Sequence, residues 1–329
     1  MPALGDPWDT LTIVDKEAAT PVPGTLCIRV EATDLNFADI LQCQGSYQVK
    51  LQPPFTPGMN AAGIVMAVGD DVAVEIGRRV VGPTLAPSGG FAEQAILLAE
   101  HAQPIPDGVS SIVAMGMHVT YATAWFALHH RGRLKPGETV LVLAAAGGVG
   151  SAAVQMARQH GCWVMAAAGG EEKVRVCGEL GADLVIDYDA EDLYASVMDA
   201  TDGRGVDVVY DPVGGKYFDA ARRLVAWEGR LLVVGFASGT IPSAPANHVL
   251  VKNYAVVGTH MGGYRDRHPD IVRRCYEDLH QQLLDEKISP FVSEVIGFDA
   301  LPDALRRLAD RRTVGRVVFD PSFVRRAQS

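Results

Sequence analysis

The stretch that most constrains this chain covers residues 139–156, TVLVLAAAGGVGSAAVQM. Residues 139–143 are β-branched and leucine-rich with no polar alternation, which reads as a short strand buried on both faces, as in a parallel sheet. Residues 144–150 are small, and residues 151–159 bring Ala152, Ala153, Val154, Met156 and Ala157 to the packed side of a helix. A strand, a glycine turn and a helix in that order form the opening unit of a dinucleotide-binding fold. The turn reads Ala145-x-Gly147-x-x-Gly150, with Gly148 as a further glycine, instead of a strict three-glycine fingerprint. Unscreened backbone at Ala146, Gly147, Gly148, Val149 and Gly150 can approach a pyrophosphate at the positive end of the helix dipole. An ordinary strand-to-helix turn also favours small residues, so the chain that follows has to decide between the two readings.

It alternates regularly. Strand patterns at 163–167, 184–187, 206–211, 230–235 and 254–258 are separated by helical patterns that include 171–180, 192–201 and 217–224. With 139–143 they complete a six-stranded doubly wound sheet. Residues 1–118 have another texture. Short strand candidates at 10–14, 26–32, 61–68, 79–81 and 91–98 lie between turn signals such as Pro57-Gly58, Gly69-Asp70 and Ser88-Gly89-Gly90, with one helix at 36–42. That pattern suggests a barrel-like β domain. Residues 113–130 are helical in character. After Gly262-Gly263 come an amphipathic helix at 270–286, strands at 292–296 and 316–319, and a helix at 301–310. Because the sheet is complete without this tail, residues 265–329 are assigned with 1–118. Residues 119–264 then form an inserted α/β domain, with a cleft expected where the two meet.

Composition excludes several classes. The 329 residues are 48% apolar and 21% charged, enough for two cored domains. A formal charge of −10 without a basic stripe argues against a general nucleic-acid binder. Arg306-Arg307 and Arg311-Arg312 read as a solvated helix face. No apolar run reaches the length of a membrane helix, and MPALGDPWDT is not a secretory leader, so a cytoplasmic protein without membrane contact is expected. The five cysteines are widely spaced with no C-x-x-C, which suits small buried hydrophobes and neither a disulfide framework nor a cysteine-rich zinc site.

Many short segments, in order, carry a family likeness: Leu35-Asn36-Phe37-Ala38-Asp39-Ile40, Gly45-Ser46-Tyr47, Pro57-Gly58, Leu134-Lys135-Pro136-Gly137, residues 145–150, Leu180-Gly181-Ala182-Asp183, Gly205-Val206-Asp207 and Gly229-Arg230-Leu231. Through them the chain resembles the zinc-independent quinone oxidoreductases of the medium-chain dehydrogenase/reductase superfamily, the zeta-crystallin-like family. The resemblance implies an α/β protein with a GroES-like β-rich catalytic domain and a doubly wound Rossmann cofactor domain. It implies hydride transfer from NADPH to a small-molecule quinone or enone. Neighbouring readings are an enoyl-thioester (enoyl-CoA) reductase and a crystallin-like cofactor-binding protein without significant turnover. It also implies a homodimer, for which the apolar strand at 254–258 offers an edge. Three departures stand out: Met59-Asn60 in place of an acidic residue after Pro-Gly, Gly77-Arg78-Arg79-Val80 in place of Gly-Asp-Arg-Val, and a start without the family's first strand.

Candidate site residues follow. The superfamily's zinc-dependent branch places a cysteine near residues 34–39 and a histidine where this chain has Met59, so no metal is expected. The window at 166–170 lacks the acidic residue that holds ribose hydroxyls in NAD-binding folds, while Glu171 and Glu172 follow closely. By resemblance Lys173 and Tyr188 lie near the 2′-phosphate of NADPH, and Gly169 is a further cofactor-binding position. Lys173 otherwise reads as a solvated helix residue and Tyr188 as a core-edge aromatic. Thr120, Thr123, Gly235, Phe236, Ala237, Ser238 and Arg316 are implied on the nicotinamide side, although Thr123 also suits an internal helix hydroxyl. At the reacting end stand Asn36, with a donor and an acceptor, and Tyr47, a phenol able to donate to a developing oxyanion. Asn36 equally suits a helix N-cap, and Tyr47 a loop aromatic. Asp39 and His118, His129 and His130 read as structural.

Overall fold

The computed structural model describes residues 1–323. Internal contacts divide the chain into two compact units, one of Met1–His118 with the described residues from Val292 onward, the other of Val119–Phe291. In chain order the first unit opens with β1 (Thr25–Asp34), β2 (Asn60–Val68), β3 (Arg79–Pro83), β4 (Gln94–Leu98) and β5 (Gln103–Pro104). The second unit holds β6 (Thr139–Leu143), β7 (Trp163–Ala168), β8 (Leu184–Asp187), β9 (Val206–Asp211), β10 (Val225–Val233) and β11 (Ala255–Gly258). β12 (Val292–Ile296) and β13 (Arg316–Phe319) return to the first unit.

In the first unit β1 is the hub. It pairs antiparallel with β2 along most of its length and with β4 over residues 25–29, while its last residues pair with β13. Leu26, Ile28, Val30, Val65, Val80 and Leu97 fill the space under this sheet. A second core forms where β1 ends: Leu35, Ile40, Phe91, Leu301, Leu305 and Phe319 pack together. Phe319 there meets Phe91 and Phe298 edge-on, with centroids at 5.6 and 4.9 Å. These contacts hold β13 against the turn into the helix Phe37–Cys43.

In the second unit all strands are parallel, in the order β11-β10-β9-β6-β7-β8. That order is the doubly wound arrangement with its switch between the first and fourth strands of the unit. Leu141, Leu143, Met165, Ile186, Val209, Phe218 and Leu231 form its core, which explains why these strands read as unbroken apolar runs.

Several elements differ from the sequence reading. Residues 10–14 are not a strand. Pro7, preset for a first helical position, starts the short helix Pro7–Thr10, and Ile13 and Val14 beyond it are exposed with no strand to pair. The short β5 and the helix Ala246–Lys252 carried no clear pattern. Residues 265–291 belong with the second unit. The helix Pro269–Leu284 packs on Thr120–Trp125, where Trp125 Nε1 donates to Asp278 Oδ2 at 2.7 Å. Ser289 is stapled by both ends of the Gln155 amide, at 2.8 and 2.9 Å, and accepts from the Tyr121 hydroxyl at 3.0 Å. Among the described residues one helical run, Ser111–Arg131, has the length and composition of a membrane span, but 72% of its most apolar 18-residue window is buried inside the protein, as in a core helix.

The second unit is braced by an ion pair that sequence spacing does not reveal. Arg230 Nη1 and Nη2 donate to the two Glu138 oxygens at 2.8 and 2.6 Å, and its Nε donates to the Gly132 carbonyl at 2.6 Å. Burial pushes the Glu138 carboxyl up, but the Arg230 hydrogen bonds and the Lys135 N–H outweigh it and leave it below the usual range. A depressed carboxyl contributes stability above its unfolded value and loses it as pH falls through the folded one. Arg230→Gln is therefore expected to lower unfolding free energy by about 2–3 kcal/mol at neutral pH. In urea titrations the gap to the parent should close progressively through the acid range; a pH-independent gap contradicts the assignment.

Candidate active site

The glycine turn occupies the C-terminal end of β6. The helix begins earlier than its apolar pattern indicates, at Gly148, with Gly147 as an extended N-cap, and runs to Gln159. Gly148, Val149 and Gly150 thus lie in the first turn, whose N–H groups have no intrahelical acceptor and point outward along the dipole. Gly150 is required for packing: a Cβ there would sit 2.3 Å from the Ala144 carbonyl oxygen, so helix and strand approach closely only without it. Gly147 is less crowded, its Cβ position lying 3.3 Å from the same oxygen. Ala145 and Ala146 are buried beneath the turn.

At the end of β7, Gly169 meets residues that follow β8. A Cβ on Gly169 would fall 2.3 Å from Asp189 Oδ2 and 2.8 Å from the Tyr188 ring. Asp187 Oδ1 accepts from Gly170 N at 3.1 Å and Asp189 N at 3.0 Å, tying the two loops together. Tyr188 stacks obliquely on Tyr217 at 5.0 Å, and Lys173 is half-buried on the helix Glu171–Glu179. The sequence window that lacked an acid therefore receives one, Asp189, from the neighbouring strand end.

The loops after β9 and β10 also meet. Ala237 N and Ser238 N donate to the carbonyls of Pro212 and Val213 at 3.1 and 2.9 Å, and Gly235 N to Asp211 at 3.4 Å. Asp211 is buried, which raises its carboxyl, while Val213 N and Gly214 N donate to it. Phe236 is left 40% exposed at the tip. Thr120, buried, and Thr123, half-buried, are one turn apart on the helix Thr120–Trp125.

In the first unit the structure gathers Asp34, Asn36, Asp39 and Arg316. Register pairs Thr33 with Phe319 and Asp34 with Val318, and Leu35 N donates to Val317 O at 3.2 Å, so position 36 falls opposite Arg316. Arg316 Nη2 donates to Asp34 Oδ2, and to Asn36 Oδ1 at 3.0 Å. Arg316, which the resemblance places on the nicotinamide side, has its guanidinium between these two side chains. Asp39 binds backbone: its Oδ2 accepts from Asn36 N at 2.8 Å and its Oδ1 from Met59 N at 2.9 Å. Asp39 is fully buried, and burial, then the neighbouring Asp34, pushes its carboxyl up to about 7 against the pull of those amides. Asp34 is likewise raised by burial, partly offset by the Arg316 charge, the Asn36 amide and the Arg316 hydrogen bond. The Asn36 amide lends its part of that offset by turning Nδ2–H toward the Asp34 carboxylate; Nδ2, Asp34 Oδ1 and Arg316 Nε are all buried, and none of them completes a hydrogen bond of good geometry.

Tyr47 is half-buried in the turn after the helix Phe37–Cys43, its N–H donating to Leu41 O at 3.1 Å. Arg78, where the family likeness lacks a carboxylate, pairs with Glu75 on the surface, away from the buried cluster. Among the described residues no group of three or more His, Cys, Asp or Glu side chains is placed to hold a metal, and all five cysteines are buried and unpaired. Sequence reading missed Asp34, Asp187, Asp189 and Asp211; each acts across strands, and only the acid-rich ends of β1, β8 and β9 hinted at them.

A doubly wound sheet with a glycine cradle, joined in one chain to a β-rich unit carrying a buried polar cluster, defines a two-domain dinucleotide-linked dehydrogenase or reductase. Residues 22–124 match the alcohol dehydrogenase GroES-like domain, and residues 148–277 the zinc-binding dehydrogenase family. The bovine (Bos taurus) quinone oxidoreductase-like protein 2 is 40% identical over 93% of this chain and 88% of its own length. The quinone oxidoreductase of Thermus thermophilus, solved alone and with NADPH, is similar at a TM-score of 0.82 and 34% identity, covering 97% of this chain and 100% of that one. The CurK enoyl reductase is similar at a TM-score of 0.84 and 27% identity over 97% and 98% of the two chains. The chain belongs to the quinone oxidoreductase-like family of the medium-chain dehydrogenase/reductases.

The crowding difference in the turn is directly testable. Gly150→Ala should destabilise the protein by about 1–3 kcal/mol, as overpacking against a backbone oxygen does. Gly147→Ala should cost clearly less. Thermal unfolding of both variants checks this, and equal losses would contradict the geometry.

Proposed function

We propose that this protein is an NADPH-dependent reductase of quinones or activated C=C bonds that works without a catalytic metal. The observation that carries the reading is the glycine cradle at the end of β6, in one chain with a unit whose buried polar cluster presents the Asn36 amide, held by Arg316 through its oxygen and set beside Asp34 with its nitrogen. An amide or phenol donor suits a carbonyl oxygen on which negative charge grows. The labour divides by unit: the first unit, with Asn36 and Tyr47, addresses the substrate, and the second holds the cofactor. The glycine cradle fits a pyrophosphate, since Gly150 leaves room that a side chain would fill and the first-turn amides of Gly148–Gly150 supply donors. When bound, NADPH supplies the hydride. Gly169, Lys173 and Tyr188 line the expected 2′-phosphate end, while Thr120, Thr123 and the loop of Gly235, Phe236, Ala237 and Ser238 suit the nicotinamide end. An electron-poor acceptor needs positioning and a proton source but no Lewis acid. Where the zinc branch would use a histidine, Met59 contributes backbone groups, its N–H to Asp39 and its carbonyl to Thr84 N.

The likeness to the CurK enoyl reductase favours a second reading, an enoyl-thioester reductase with the same donor on a thioester oxygen. NADPH absorbance followed with quinones, enones and acyl-CoA esters, with and without chelator, tests both. Turnover of quinones or enones, undiminished by chelator, is expected. Turnover of acyl-CoA esters alone would favour the second reading, and none at all would leave a binding protein.

Lys173→Ala is expected to weaken NADPH about tenfold, the order of one charge-assisted hydrogen bond, and NADH much less. Asp189→Asn should tighten NADPH, because that carboxylate covers Gly169 at the same end. Nucleotide fluorescence titrations check both, and equal changes for the two nucleotides would refute the assignment.

The reading includes a homodimer. β11 is an edge strand of the parallel sheet, Val256 on it is 38% exposed, and nearby Leu250 and Val251 are 75% and 71% exposed. An edge of this kind is a template for a second copy. Light scattering should give a dimer mass at micromolar concentration and a monomer mass for Val256→Lys; a monomeric parent would overturn it.

A further inference from the structure

We infer that Asp189 sets the nucleotide choice of this protein: its carboxylate stands in for the acid that the end of β7 lacks, accepts from the adenosine ribose of NADH, and keeps the preference for NADPH small. This rests on the cofactor reading above and extends it from one nucleotide to two.

The ground for it is a substitution in space. In NAD-binding doubly wound folds an acid about 20 residues past the glycine turn holds the ribose, at the end of the second strand. Here the second strand of the unit, β7, ends in Ala166-Ala167-Ala168 and runs into Gly169-Gly170, with no side-chain oxygen among them. A Cβ on Gly169 would fall 2.3 Å from Asp189 Oδ2 and 2.8 Å from its Cγ. The Asp189 carboxylate thus fills the space into which a side chain at position 169 would project. The acid missing from β7 arrives at the same place from the end of β8.

The strand ends hold it there. Ala168 pairs with Asp187 in parallel register, and Tyr188 N donates to Ala168 O at 3.1 Å. Asp187 Oδ1 accepts from Gly170 N at 3.1 Å and from Asp189 N at 3.0 Å, which fixes the backbone on both sides of the contact. Asp187 is occupied by these amides. Asp189 is exposed, and its carboxylate enters no ion pair among the described residues. Of the two carboxylates, Asp189 is the one left for a ligand.

A carboxylate accepts hydrogen bonds and donates none. The ribose of NADH offers hydroxyl donors to it. In NADPH the 2′ oxygen carries a phosphate, which brings acceptors and negative charge toward a like charge. Lys173, on the helix Glu171–Glu179, acts in the opposite sense, since an ammonium gains more from a phosphate than from a hydroxyl. One end of the site therefore carries a residue for each nucleotide.

Fluorescence titrations of the full chain with NADH and NADPH test this in the parent, Asp189→Asn and Asp189→Ala, with thermal melting to confirm folding. The two dissociation constants of the parent should lie within about tenfold of each other, the order of one charge-assisted hydrogen bond. Both substitutions should weaken NADH, by about tenfold for alanine and less for asparagine, which keeps an acceptor. Both should tighten NADPH, by about fivefold, as removal of a like charge near the surface does. A parent that binds NADH about a hundredfold or more weakly than NADPH would overturn the role of Asp189. So would an unchanged NADH affinity in both variants, or changes of one sign for the two nucleotides. A parent that binds neither nucleotide would overturn the cofactor reading itself, and this inference with it.

Discussion

A guanidinium taken out of water governs the first unit. Arg316 loses its hydration on entering the protein and recovers the loss only by facing Asp34, a residue 282 positions earlier. That pairing needs β13 to lie beside the end of β1, which in turn needs Phe319 seated among Phe91, Phe298 and Leu305. The apolar core and the ion pair are thus two sides of one strand: even-numbered Arg316 and Val318 and odd-numbered Val317 and Phe319 alternate between polar cluster and packed interior. Local chemistry follows. With Arg316 placed, Asn36 has one preferred amide sense, and with Asp39 bound to backbone N–H groups, the turn into the helix Phe37–Cys43 has one shape.

The second unit solves a different problem. Its strands are buried on both faces, so close packing replaces polar anchoring. Gly150 permits the helix to lie on β6, and Ala152, Ala153 and Ala157 keep it low against the sheet. The open ends of the strands then carry the polar work, through Asp187 and Asp211, whose oxygens accept backbone N–H groups and shape the loops around the cradle.

Legibility in the sequence tracks these two solutions. The parallel strands could be read because double burial writes itself as uninterrupted runs such as Thr139–Leu143 and Val206–Asp211. The glycine turn could be read because its constraint is local. Residues 10–14 misled because Thr, Leu, Ile and Val suggest a strand whether or not a partner strand lies alongside. Residues 265–291 misled because the bonds from Trp125, Tyr121 and Gln155 that hold them are tertiary. Family likeness points to Asn36 and Tyr47 but not to Asp34, whose meaning depends on a cation far along the chain. The same holds for Asp189 over Gly169, where adjacency is created by β7 and β8 pairing.

The interruption of the first unit by the second has a consequence for synthesis. Residues 119–291 are continuous and contain every strand of their own sheet, so that unit has all its partners as soon as it leaves the ribosome. The first unit, although it begins earlier, lacks β12, β13 and the helix Leu301–Ala309 until residues 292–319 have been made. Until then Asp34 is a carboxylate without its cation, free to stay in water, and the end of β1 is an unpaired edge. The later-encoded domain is therefore positioned to mature before the earlier one, and the polar cluster around Arg316 assembles only after it.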